Sequence, residues 1–249
     1  MKTTVRDIYN FIDSLAPFSL TEEWDNCGLL VGDFATPVAR IGLALDITNE
    51  VIDLAREAEI GLLVSHHPVI FPALGSLPAA SPAYHLAQSG IHAICAHSNL
   101  DHTLVNDVLA EKLGLREVKA VPGAPLLRQG VLPKALPAGD FAAAVSAALG
   151  ASVRCGKVEK SIQRVAVCGG SGKDFLQNAA AGGADAYVTG DAGHHDFLDA
   201  AALDILLLAA GHYETEQPVI PALAQKIQAA FPSLSVTVLP QESPTTTAS

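Results

Sequence analysis

Two stretches of this chain repeat one another, and that repeat constrains the fold more than any other feature. The run Ile41–Leu45, a helical stretch Asn49–Glu59 and a strand ending in Ser65-His66-His67 form one strand-helix-strand unit. Arg164–Cys168, a helical stretch Lys173–Ala181 and a strand ending in Thr189-Gly190-Asp191 form another of nearly equal length. Each is followed by a short helix (Pro82–Gln88; His195–Ala202) and an apolar run (Ile91–Cys95; Ile205–Ala210). Each apolar run leads into a histidine with a carboxylate four residues on, His97 with Asp101 and His212 with Glu216. Strands alternating with helices in this way build a mixed or parallel sheet covered on both faces. The expected fold is therefore α/β, with two similar domains made from a duplicated strand-helix-strand unit and mixed sheets flanked by helices.

Val121–Pro125, rich in proline and glycine, interrupts the alternation and marks the expected boundary. It gives an N-terminal domain of residues 1–123 and a second of 124–249, whose C-terminal part packs back on the first. Val5–Leu15 reads as an amphipathic first helix. A later helix is expected over Thr215–Ala230, with Pro218 near its first turn, where proline is tolerated. The Thr/Ser/Pro-rich stretch Gln241–Ser249 reads as a frayed tail.

Composition narrows the function classes. The longest apolar run, Ile205–Ala210, is six residues, against the roughly 20 that cross a bilayer, so no membrane span is expected. Charges within Met1–Asp13 fall where a secretory signal needs an unbroken apolar core. Cys27, Cys95, Cys155 and Cys168 show no C-x-x-C spacing and read as reduced thiols of a cytoplasmic protein. Net charge is −11, and no cationic run interleaves with aromatics, which disfavours nucleic acid as a partner. With 49% hydrophobic and 16% charged residues, the surface is expected to be spent partly on subunit interfaces.

Histidines and carboxylates at strand ends are the constellation of a metal site, because open α/β sheets bind ligands at the carboxyl ends of their strands. Imidazole nitrogen with carboxylate oxygen suits Zn, Mn, Fe, Co or Ni better than Ca or Mg, which prefer oxygen shells. His66, His67, Asp101, His212 and Glu216 supply the five ligands that two ions with a bridging carboxylate need, and hydrolysis is the reaction such a pair most naturally supports. Glu214 is an alternative to Glu216, although only Glu216 repeats the four-residue spacing. His97 corresponds to His212 under the duplication and Asp191 to His67; either can instead orient a ligand. His194 and His195, at the start of a short helix, are candidate proton donors. His85, His92 and His102 read as surface or structural groups.

Six collinear motifs carry a family resemblance: Trp24–Asp33, Ser65–Pro68, His97–Asp101, Val167–Gly172, Tyr187–His195 and Gly211–Glu216. Together they resemble the NIF-three-like dinuclear-metal family, the GTP cyclohydrolase 1 type 2 homologues. The resemblance implies two similar α/β domains with a di-metal site in the cleft between them, and a toroidal homohexamer, a trimer of dimers. Its ligands fall on His66, His67, Asp101, His212 and Glu216, with two divalent transition-metal ions per chain. The activity it implies is opening of the GTP imidazole ring with release of formate. From their positions in the chain, His195 and His97 are the catalytic candidates. A nucleotide substrate needs an anchor. No G-x-x-x-x-G-K-[ST] loop is present, and Gly169–Gly172, Lys173 and Arg154 are the weak substitutes. A metal-binding, metal-delivery or scaffold protein without catalysis, and a metal-dependent phosphoesterase, are the alternatives.

Overall fold

A computed structural model describes residues 2–245. The chain forms two compact units, one of the residues up to Thr103 together with Ile220–Glu242, the other centred on Leu104–Val219. In chain order the strands are β1 (Gly28–Val31), β2 (Arg40–Ala44), β3 (Leu62–Ser65), β4 (His92–Cys95), β5 (Arg116–Val121), β6 (Ala124–Pro137), β7 (Arg154–Cys155), β8 (Ser161–Cys168), β9 (Ala186–Thr189), β10 (Leu206–Ala209) and β11 (Ser235–Val238).

The first unit holds a five-stranded sheet in the order β1-β4-β3-β2-β11. Strands β2, β3 and β4 run parallel in chain order, β11 adds parallel to β2, and β1 closes the far edge antiparallel to β4. The second unit holds a six-stranded sheet, β5-β6-β8-β9-β10-β7. There β8, β9 and β10 are parallel, β7 runs antiparallel along β10, and β6 antiparallel along β8. The duplication thus extends beyond the strand-helix-strand core to the antiparallel edge strand beside the third parallel strand. The α/β class with mixed sheets is as the sequence predicts.

Pleating explains why the second sheet can be covered on both faces. Val165, Val167, Ala186, Val188, Leu206 and Leu208 join one core with Phe141 and Val145 of the Ala138–Leu149 helix. The alternate residues Ala166, Cys168, Tyr187, Leu207 and Ala209 join another with Leu176, Ala179 and Ala200. In the first unit, Ala44, Leu63 and Ala93 pack against Val51, Ile52 and Ala55 of the Asn49–Glu57 helix and Leu86 of the Pro82–Ser89 helix. Thr48 caps the former, its hydroxyl accepting from the Val51 N–H at 3.2 Å. The Val5–Leu15 helix buries Val5, Ile8 and Ile12, an i, i+3, i+7 stripe.

Three expectations change. Val121–Pro125 is not a boundary: Val121 pairs with Ala124 and the stretch is the turn of the β5–β6 hairpin, so the chain leaves the first unit at Thr103–Leu104 instead. The single helix over Thr215–Ala230 is two, His212–Glu216 and Val219–Ala230, because Pro218 lacks an N–H and restricts Gln217 before it. Gln241 is not frayed. Its Oε1 accepts from the Leu45 N–H at 2.6 Å and its Nε2 donates to the Asp46 carbonyl at 3.0 Å, while residues 246–249 of the expected tail lie outside those described. Among the described residues no helix is long and apolar enough to cross a membrane.

Candidate metal centre

Register places the first set of histidines. Ala44 pairs with Ser65 and Ser65 with Cys95, so β2, β3 and β4 end level and the next residues emerge side by side. Those residues include Asp46, His66, His67 and His97. His66 is fully buried; its Nδ1 donates to the Ala96 carbonyl at 3.1 Å. His67 Nδ1 meets Asp46 Oδ1 at 2.8 Å, and His97 Nδ1 meets Asp25 Oδ1 at 2.9 Å. A proton held at Nδ1 by an oxygen makes Nε2 the lone-pair nitrogen, the arrangement that metal-ligating histidines adopt. The ring centroids of His66, His67 and His97 lie 4.9 to 5.4 Å apart, and one ligand atom from each falls within 4.8 Å of the others, close enough to hold an ion. Asp101 follows on the Asp101–Val105 π-type turn, its Oδ1 3.6 Å from His66 Nε2.

Asp25 is the anchor beneath His97, with no exposed side-chain surface. Burial pushes its carboxyl up. Hydrogen bonds from His97, from the Ser98 hydroxyl and N–H, and from the Cys27 thiol outweigh that and hold it well below the usual carboxylate range. It therefore stays ionised and keeps the His97 ring aligned.

The second unit carries the other set. His212 and Glu216 are one turn apart on the His212–Glu216 helix, with Nε2 and Oε2 at 3.1 Å. His212 Nδ1 meets Asp191 Oδ2 at 2.7 Å, and Asp191 in turn accepts from the Ser171 hydroxyl at 2.9 Å. The hydrogen bond with Glu216, opposed by burial and reinforced by Asp191, pushes His212 up to about 9. Glu216 is buried, and Gly170 is what leaves room for it. At a φ of +58°, a Cβ there would lie 2.0 Å from Glu216 Oε1.

Glu214 turns the other way. A Cβ at Gly211 would lie 2.0 Å from its Oε2, so it folds back over the start of the helix, and Glu216 is the carboxylate that faces His212. The Gly169–Gly172 loop packs on Glu216 and Thr215, the Gly170 N–H donating to Thr215 Oγ1 at 3.0 Å. Arg154 is committed to the Ala192 carbonyl at 2.6 Å. His195 is exposed, its ring edge-on to His194 at 5.4 Å; neither joins a metal-holding group among the described residues. The equivalence of His97 and His212 is offset by one residue, since His97 lies two past Cys95 and His212 three past its counterpart Ala209, with Gly211 (φ +90°) absorbing the difference. Asp25 and Asp46 escape the sequence argument. Only the level strand ends, and the position of Asp46 just past β2, hint at them.

Residues 3–245 match the family model Duf34/NIF3 (NGG1p interacting factor 3). The chain belongs to the DUF34/NIF3 family. It is 32% identical to a Clostridium acetobutylicum protein called GTP cyclohydrolase 1 type 2 homolog, over 95% of this chain and 94% of that one. A Campylobacter jejuni protein of the same name is 31% identical over 89% and 91%. Among solved structures, the Staphylococcus aureus hypothetical protein SA1388 superposes with a TM-score of 0.92 at 28% identity, covering 100% of both chains. Reduced HcgD from Methanocaldococcus jannaschii gives 0.83 at 26%, over 97% and 99%. The DUF34/NIF3 chain thus carries histidine and carboxylate groups able to hold a metal, with donors suited to a first-row transition ion.

Because His212 carries a proton below about pH 9, a metal ion that takes His212 as a ligand must expel it. Calorimetric titration of the metal-free protein at pH 7, repeated in buffers of different ionisation enthalpy, should show about one proton released as His212 is engaged. Apparent affinity should rise toward pH 9 and then level. In the metal-free chain the same raised value stabilises the fold below pH 6.5, and the gain fades as pH rises through about 9. No proton release would remove His212 from the candidate ligands.

Gly170→Ala should displace the Glu216 carboxylate and lower bound metal to roughly a tenth of the parent's at limiting metal, in line with the 10–100-fold affinity losses seen when ligands lose support. Elemental analysis alongside circular dichroism separates this from unfolding.

Proposed function

We propose that this DUF34/NIF3 chain is a dinuclear-metal-dependent hydrolase of the GTP cyclohydrolase 1 type 2 kind, releasing formate as it opens the imidazole ring of GTP. His66, His67, Asp101, His212 and Glu216 are the ligands of two divalent transition-metal ions in this reading. One observation carries the reading. Each histidine in the two sets donates from Nδ1 to an oxygen, of Ala96, Asp46, Asp25 or Asp191, which presets Nε2 for a metal or a proton. The names of the relatives favour GTP as the substrate. Bound ions supply Lewis-acid polarisation and a lowered pKa for water.

The chain's own residues do the remaining work. Asp46 and Asp191 orient their histidines. His97, backed by ionised Asp25, accepts and returns a proton at Nε2, as a general base or acid does. His195, exposed on its helix, is the weaker candidate for that role. A homohexamer, a trimer of dimers working in the cytoplasm, completes the reading. It is supported by the apolar composition and by exposed Leu198 and Leu203 on one helix and its end.

A second reading, a metal-binding or metal-delivery scaffold without catalysis, has its own support. Arg154 and the Gly169–Gly172 loop, which the sequence offers for a triphosphate, are engaged with Ala192 and with Glu216 and Thr215. The two readings part on formate. Zinc- or manganese-loaded protein should release formate from GTP, the metal-free form should not, and Asp101→Ala should abolish release. His97→Gln should keep its metal and lose roughly 100-fold in turnover. Metal loss in His97→Gln would make it a ligand, and undiminished turnover by Asp101→Ala would leave the scaffold reading.

Light scattering should give a mass near six times 25.8 kDa. A stable monomer at micromolar concentration would end the hexamer proposal.

A further inference from the structure

Trp24, the only tryptophan of the chain, is 61% exposed and Phe71 is 49% exposed, although such rings gain most from burial. They are not scattered. Their centroids lie 6.1 Å apart at 65°, and both meet His97 edge-on, at 5.9 Å from Trp24 and 6.3 Å from Phe71. His97 continues to His66 at 5.0 Å and His67 at 5.4 Å. Aromatic rings therefore run without a break from solvent to the fully buried His66.

The two outer rings are also held in place. Trp24 precedes Asp25, which is anchored to His97 and Ser98. Phe71 follows His67 by four residues, and Asn26 Nδ2 donates to the Ile70 carbonyl at 2.6 Å, tying the two segments together. With the rings at 65° to each other, a flat π-system stacks on one and meets the other edge-on, its reacting edge toward the histidines. Glu22 and Glu23, next to Trp24 in the chain, give a phosphate no help there, whereas a neutral ring is indifferent to them.

We propose that Trp24 and Phe71 form a stacking site for a planar fused heterocycle, a purine or purine-like ring, and so determine the substrate class of the adjoining histidine cluster. The choice of a purine rests on the hydrolase reading above; the stacking itself does not.

The single tryptophan makes the site its own reporter. In the zinc-loaded full-length protein, guanosine should quench Trp24 fluorescence saturably, and ribose 5-phosphate and inorganic triphosphate should not. Phe71→Leu retains the reporter and should bind guanosine about tenfold more weakly, the usual effect of losing one aromatic contact. Absence of guanosine quenching, equal quenching by ribose 5-phosphate, or unchanged affinity in Phe71→Leu would each overturn the proposal. So would blue-shifted emission inaccessible to acrylamide, which would mean that a second copy of the chain covers the rings. Formate measured on the same protein supplied with GTP keeps the two ideas apart: guanosine quenching without formate from GTP retains the stacking site and removes the hydrolase, and formate without quenching does the reverse.

Discussion

The parallel register of β2, β3 and β4 is the constraint on which the rest depends. Because Ala44, Ser65 and Cys95 end level, residues 46, 66, 67 and 97 leave the sheet together although they span some fifty positions of sequence. A slip of one residue in β3 would exchange the faces of its side chains and bury His67 in place of His66. That slip is opposed by a wholly buried strand, Leu62–Ser65, and by the helices packed over it. The packing energy of an apolar sheet thus fixes the position of polar groups that contribute little to stability themselves.

Those polar groups are arranged against the cost of burial. An imidazole taken from water needs a partner for each nitrogen, and the sheet ends supply one at Nδ1 in every case: a carbonyl for His66, carboxylates for His67, His97 and His212. The carboxylates are in turn held. Gln241 bonds the backbone at Leu45 and Asp46, Ser98 and Cys27 bond Asp25, and Ser171 bonds Asp191. Where the partner is a second acid, as Glu216 is for His212, the same proximity raises the imidazole to about 9. The imidazole of His212 therefore keeps its proton up to about pH 9.

Glycine has a corresponding role in the second unit. Gly170, Gly190 and Gly211 stand where a Cβ would meet Glu216, His212 or Glu214. A glycine-rich loop before a helix invites reading as a phosphate cradle, but here the space left by the missing side chains is filled by the protein's own carboxylate and backbone.

The sequence by itself determined the fold class, the duplicated α/β units and the residue types of a metal site, because strand and helix periodicity and a repeated His-x-x-x-carboxylate spacing are local properties of a chain. His66, His67, Asp101, His212 and Glu216 stand out in that way as candidate ligands, and the family is legible too. Tertiary structure decided what depends on distant segments meeting. It made Asp25 and Asp46 the partners of His97 and His67, assigned Asp191 to His212, turned Glu214 away, and made a hairpin of the stretch that reads as a boundary. None of these follows from spacing, since the partners are 21 to 72 residues apart, or differ only in the direction that the backbone gives them.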